Sequence, residues 1–308
     1  MKPDIALRSV PPPARGWLEW PGGVSPYVCP DCKTPLAGLY CGKCSHEYAR
    51  RDGVPVLLSG DPRFQPAVEI SRSYDAIYRE HHNAWENQGR TPAFIDYFSS
   101  LLGRFPRSRF LEIGCGEGFL LSALNHGEKF AVDLSTRAIN AARTRAQAQF
   151  SVALAERLPF PDGRFDLVAS VGVMEHFLDI GEATREIERV LSPGGHYVAL
   201  THVHLGLAEK LRQKIREYVF PRPRPVRFAR WLKGRLAPPA YPKQVIQHKF
   251  TMRSGASSLE EHGLKVLDIL YTGKHPGLPL IGPWVIIYVA QKAGPRVKPP
   301  ADRLPADS

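Results

Sequence analysis

Between residues 109 and 201, short apolar runs alternate with segments whose apolar residues recur at helical spacing. The runs Arg109–Ile113, Lys129–Asp133, Phe165–Ser170 and His196–Thr201 predict strands. Strands separated by helices predict a parallel sheet covered on both faces. Two further β-rich runs, Leu264–Tyr271 and Trp284–Lys292, are joined by a Gly- and Pro-containing stretch and predict an antiparallel pair at a sheet edge. Ahead of the first strand, residues 67–103 read as helical, with Ile70, Tyr74, Ile77 and Tyr78 at helical spacing.

The flanks differ in composition. Residues 1–26 contain Pro11-Pro12-Pro13 and Pro21-Gly22-Gly23 and read as an irregular arm, and 293–308 as a polar, Pro-rich, disordered tail. Hydrophobic residues are 43% of the 308, which excludes a wholly disordered chain. The longest apolar stretch, Leu278–Ala290, is 13 residues and contains Gly282 and two prolines, too short and broken for a spanning helix. The N-terminal stretch has no apolar h-region, so no secretory signal and a cytoplasmic location are expected. The formal charge of +11 is concentrated: residues 206–249 hold twelve Lys or Arg against Glu209 and Glu217, a net of +10.

Residues 27–60 hold Cys29-Pro30-Asp31-Cys32 and Cys41-Gly42-Lys43-Cys44. Two such knuckles offer four thiolates, the tetrahedral set that zinc prefers, with no position left for water. The metal expected at Cys29, Cys32, Cys41 and Cys44 is therefore a structural zinc, which supplies the folding energy of a module too small to bury much core.

The run Glu112-Ile113-Gly114-Cys115-Gly116-Glu117-Gly118 ends one strand and opens a helix, and Asp133 ends the next strand. Glycines there permit a tight turn and close approach of a ligand, and an acid at the next strand end suits ribose hydroxyls. The spacing is G-x-G-x-G, with Phe119 where a dinucleotide fingerprint has its third glycine. Glu112 is electrostatically wrong for a pyrophosphate and right for a cationic ligand.

With Ala155-Glu156-Arg157-Leu158-Pro159-Phe160, Phe165-Asp166-Leu167-Val168 and Val190-Leu191-Ser192-Pro193-Gly194-Gly195 added in order, residues 109–201 resemble a class I S-adenosylmethionine-dependent methyltransferase of the type 11 group. Residues 27–58, through Asp52-Gly53-Val54-Pro55-Val56-Leu57-Leu58, resemble the zinc ribbon at the N-terminus of a group of bacterial methyltransferases. The resemblance implies an α/β, Rossmann-like, doubly wound and mostly parallel seven-stranded sheet with an antiparallel edge hairpin, spanning 67–292 after a ribbon at 27–60. It implies that Gly114, Gly116 and Gly118 form the cofactor loop and that Glu112 anchors the cofactor's amino group. Asp133 would hold the ribose, Leu134 pack on the adenine, Ala155 meet the adenine edge, and Val171 line the cofactor side. The family often has Asp where this chain has Leu154, so either Glu156 substitutes or stacking and backbone hold the adenine.

Residues just after the strand ends are the candidates for chemistry, which places Glu175, His176, His202 and His204. If the acceptor is a hydroxyl, a general base helps, and His176 and His202 are the candidates. His176 has the competing reading of a hydrogen-bonded packing residue. Tyr74 and Tyr78 read equally as a cap over the cofactor and as core packing. The basic insert, 205–260, is read as a lid, with contact to an anionic membrane surface through 206–249 as an added role at the inner membrane face. The expected acceptor is a small molecule, lipid or lipid-linked sugar. An RNA methyltransferase suits the charge but lacks the usual cysteine–histidine ribbon and N-P-P-Y/F motif. A non-catalytic binding module is a third reading, opposed by Glu112, Gly114, Gly116 and Asp133.

Overall fold

The computed structural model describes residues 25–80, 92–105, 109–202, 246–271 and 285–293. The arm up to residue 24, most of the basic insert (203–245, with His204), Trp284 and the tail from 294 lie outside them. Four two-residue strands make two antiparallel hairpins in the cysteine module: β1 (Tyr40–Cys41) with β2 (His46–Glu47), and β3 (Arg50–Arg51) with β4 (Val54–Pro55). Two helices follow, α1 (Pro66–Glu80) and α2 (Pro92–Leu102).

The alternating region then gives β5 (Arg109–Ile113), α3 (Phe119–Ala123), β6 (Glu128–Asp133), α4 (Thr136–Arg145), β7 (Gln149–Val152), β8 (Phe165–Val171), α5 (Ile180–Val190) and β9 (Leu191–His202). The chain ends with α6 (Met252–Glu260), β10 (Leu264–Leu270) and β11 (Val285–Lys292). Seven strands form one sheet in the order β10-β11-β9-β8-β5-β6-β7. The five from β9 to β7 are parallel, and β10 and β11 run antiparallel at the edge. Residues 252–260, placed in the insert on charge, form α6, which packs against α5 and β10. A capping box between Thr251 and Ser254 starts that helix.

Each face of the sheet has its own core. Leu111, Ile113, Phe130, Val132 and Phe165 point to the side of α5 and α6, where Ile187, Val190 and Leu259 meet them. Phe110, Ala131, Leu167 and Val198 point to the side of α2, α3 and α4. Phe110, Phe130, Phe160 and Phe165 are fully buried, each contributing about 1.5–3 kcal/mol relative to exposure. This alternation is why strands buried on both faces read as nearly continuous apolar runs.

The cysteine module docks on the outer edge of β7. Leu57 N donates to Val152 O at 2.8 Å, Val56 forms a parallel bridge with Val152, and Tyr27 Oη donates to Phe150 O. Tyr27, Cys29, Leu36, Tyr48 and Leu57 join the core on the α5 side. Lys33 reaches Glu186 on α5 at 2.7 Å, and Arg189 braces the same carboxylate. A module with little core of its own thus shares the core of the sheet, and the edge of β7 is covered.

Candidate functional site

The carboxyl ends of the parallel strands meet at one edge, where open α/β sheets bind ligands. After β5 the chain turns through Gly114, Gly116 and Gly118, at φ +70°, +52° and +77°. Gly114 lies against Val173 so closely that a Cβ there would overlap its side chain. A Cβ on Gly118 would come within 2.8 Å of Ala142 Cβ on α4, so this glycine lets the loop and α4 pack. Glu112 is buried on β5, and its charge acts on Lys129.

Asp133 ties the loop to the next strand. One carboxylate oxygen accepts from Gly116 N and the other from Ser135 N, both at 2.8 Å. The following helix is capped by Ser135, whose hydroxyl accepts from Ala138 N and donates to Asp75 on α1. Ser71 Oγ donates to Leu134 O at 2.6 Å, so α1 is stitched across the end of β6. Burial, then the charges of Asp133 and Glu175, push the Tyr74 phenol up.

Beyond β7, a short 3-10 turn at Ala155–Arg157 carries Glu156. Its carboxylate accepts from Leu178 N at 2.6 Å and Asp179 N at 3.2 Å. It therefore holds the turn that enters α5. Burial raises this acid to about 7, although the two amides oppose the shift. Leu154 is buried with Phe64 and Ala67, and Leu58, Leu134 and Leu178 pack on them. The wall beside Leu134 is apolar, and Phe64 in it had no distinguishing signal in the sequence.

At the end of β8, Val171 is buried, and a second 3-10 turn at Met174–His176 follows. Glu175 is buried at 1% exposure. Its Oε2 accepts from Thr201 Oγ1 at 2.9 Å, and its Oε1 accepts from His202 Nδ1 at 2.5 Å and His202 N at 3.3 Å. Burial works to raise this carboxyl, but the hydrogen bond and charge of His202, then the charge of His176, hold it below the usual carboxylate value. The bond from Glu175 raises His202 against the effect of burial. His202 remains 55% exposed at its side chain. His176 Nδ1 donates to Ile246 O at 2.6 Å, and His248 N donates to Glu175 O at 2.7 Å. Thus the two sequence candidates have different settings: His176 is tied to backbone, whereas His202 is paired with a buried acid. Glu175 stood in the sequence as a strand-end candidate without a role, and no local pattern connects it with a residue 27 positions away.

The four cysteines form a separate cluster, with sulfurs within 4.8 Å of one another. Cys32 and Cys41 sulfurs lie 3.5 Å apart, and Cys29 and Cys44 3.9 Å. Sulfurs at about 2.3 Å from a tetrahedral zinc lie about 3.8 Å apart, so the cage fits such an ion. Cys44 N donates to Cys41 Sγ, and Tyr48 Oη lies 3.2 Å from Cys29 Sγ, contacts that fix the sulfurs.

A family model described as methyltransferase domain matches residues 111–199. A ubiquinone biosynthesis O-methyltransferase of Alkalilimnicola ehrlichii is 29% identical over 132 residues, which are 38% of this chain and 53% of that protein. Ajmaline N-methyltransferase of Rauvolfia serpentina is 34% identical over 163 residues, 44% of this chain and 55% of that protein. The chain spans about half the length of these curated relatives. Among solved structures, the 1,6-didemethyltoxoflavin-N1-methyltransferase of Burkholderia thailandensis, with bound 1,6-didemethyltoxoflavin and S-adenosylhomocysteine, superposes with a TM-score of 0.51 at 16% identity. The superposition covers 80% of this chain and 94% of that one and shows a shared fold. The glycine loop and the strand-end acid thus lie within the stretch, residues 111–199, that matches the type 11 methyltransferase domain model, in a chain that also carries an N-terminal four-cysteine cluster.

Proposed function

We propose that this chain binds S-adenosylmethionine at the carboxyl edge of its parallel sheet and transfers the methyl group to a small-molecule acceptor. The observation that carries the reading is Asp133, whose carboxylate is held by Gly116 N and Ser135 N beside the glycine turn. That arrangement fixes an acid at the strand end beside the glycine turn, where ribose hydroxyls would donate to its remaining lone pairs. S-adenosylmethionine supplies an electrophilic methyl on a sulfonium. Glu112 and the backbone of Gly114, Gly116 and Gly118 would receive its aminoacyl end. Leu134, Leu154, Ala155 and Phe64 would wall the adenine, with Val171 beneath. Glu156 supports that wall through the 178–179 turn. The similar proteins that methylate small molecules, by their names, support a small-molecule acceptor.

The test is calorimetric binding of S-adenosylhomocysteine. Asp133→Ala should weaken it about tenfold or more, the loss of charge-assisted hydrogen bonds, while circular dichroism stays unchanged. Unchanged affinity would remove Asp133 from the ribose role. We also propose a structural zinc held by Cys29, Cys32, Cys41 and Cys44. Elemental analysis should find about one per chain, and none would overturn it.

A further inference from the structure

We propose that Glu175 is the positioning residue of a Glu175–His202 pair, and that His202 Nε2 takes the proton from a hydroxyl-bearing acceptor. This rests on the cofactor reading above and names the class of acceptor that reading leaves open.

Glu175 is 1% exposed in the turn after β8, and a carboxylate there needs charged or polar partners. Three donors reach its two oxygens: Thr201 Oγ1, His202 N and His202 Nδ1. All belong to the end of β9, the strand that pairs directly with β8. The short bond to Nδ1 places the proton of neutral His202 on Nδ1, which leaves the lone pair on Nε2. Among the described residues, the titratable groups whose charge couples to Glu175, besides His202, include His176 in the same turn, Tyr74 on α1 and Tyr197 on β9. Ile246 O accepts a hydrogen bond from His176 Nδ1, and His248 N donates to Glu175 O, so the turn is fixed from both sides. His202 is left half exposed at the strand's carboxyl end.

A base is of use only where the nucleophile must lose a proton. In the step, the acceptor O–H bond breaks and its proton goes to His202 Nε2. An oxygen lone pair forms the new bond to the methyl carbon of S-adenosylmethionine. The carbon–sulfur bond breaks with its electron pair to sulfur, giving S-adenosylhomocysteine. The imidazolium that forms is stabilised by Glu175 and later returns its proton to water. A permanently cationic or proton-free acceptor needs none of this.

Histidine-labelled full-length protein, with and without S-adenosylhomocysteine, gives the first test by NMR. His202 should carry its proton on Nδ1 and titrate above the ordinary histidine value. Glu175→Gln should lower that midpoint by about one pH unit or more, and Glu175→Asp should restore it. A His202 midpoint that Glu175→Gln leaves in place overturns the pair. Because Glu175 is buried, His202→Asn at the exposed partner provides the variant that keeps the fold.

The second test uses methyl-13C S-adenosylmethionine and a low-molecular-weight extract of the source organism. The methyl carbon of the product should show the shift of an O-methyl group. Transfer should rise with pH through the His202 midpoint. Glu175→Gln should lower kcat about a hundredfold with KM little changed, and His202→Asn should abolish the pH limb. Methyl on sulfur or a tertiary nitrogen overturns the acceptor class, as does an extract with no O-methyl signal while S-adenosylhomocysteine binds. Absence of S-adenosylhomocysteine binding instead overturns the cofactor reading, and the NMR titration without it still decides the pair.

Discussion

The two 3-10 turns at the carboxyl edge of the sheet make an instructive pair. Each carries a glutamate at 1% exposure, Glu156 after β7 and Glu175 after β8. Glu156 has neutral partners, the amides of Leu178 and Asp179, and burial raises it to about 7. Glu175 has a basic partner, His202, and is held below the ordinary carboxylate value. Equal burial therefore goes with opposite pKa shifts, because a counter-charge offsets desolvation and neutral amides offset it only in part. One acid holds a turn, and the other keeps a charge beside a half-exposed imidazole.

The largest expected contrast is in turnover. Glu175→Gln should reduce methyl transfer about a hundredfold, and Glu156→Gln should stay within about threefold. Equal losses in both would erase the distinction, and a radiolabel assay with the host extract measures it. Next comes metal removal. The cysteine module is bonded to β7 and lies beside the Glu156 turn, not the Glu175 turn. Chelation of the proposed zinc should therefore raise amide exchange in residues 150–158 about tenfold or more, with residues 171–176 little changed. Uniform loss of protection would mean that the module supports the whole sheet.

The pH dependence of stability separates the two acids further. Glu156 has a raised folded-state pKa, so the folded chain binds the extra proton between its ordinary value and about 7. Its stability contribution is full below the ordinary carboxylate range and is lost as pH rises through about 7. The slope approaches about 1.4 kcal/mol per pH unit in that window. Urea unfolding from pH 5 to 8 should show this decline, and Glu156→Gln should flatten it. A decline that survives the substitution assigns it elsewhere. The smallest effect belongs to Arg63, 62% exposed beside Asp61. Arg63→Ala should change stability by no more than about 0.5 kcal/mol in the same assay.

Much of the fold was legible along the chain. The strands of the doubly wound sheet carried continuous apolar runs because both faces are covered. Strand ends shifted: β9 begins at Leu191, upstream of the expected His196, and runs through Pro193-Gly194-Gly195. That stretch reads as a turn, and the pairing of Phe165 with Leu191 before an irregularity draws it into the strand. The strand β7 went unread because Gln149–Val152 is four residues long and half polar. Its partners, β6 on one side and Val56–Leu57 on the other, make it a strand. The continuous helical reading of 67–103 resolves into α1 and α2, with residues 81–91 outside the description.

The sequence by itself determined the alternating architecture, the glycine turn, the strand-end Asp133 and the four thiols at metal spacing. Those features are local: periodicity, backbone freedom and short ligand spacing are written within a few residues of one another. The tertiary structure alone decided that Glu156 turns to the 178–179 amides, that Phe64 joins Leu154, and that Glu175 reaches His202. It also decided that the cysteine module continues the sheet at β7. Each of these is a contact between segments far apart in sequence. Such a contact exists only once the sheet order brings the strand ends side by side, and no run of neighbouring residues encodes it.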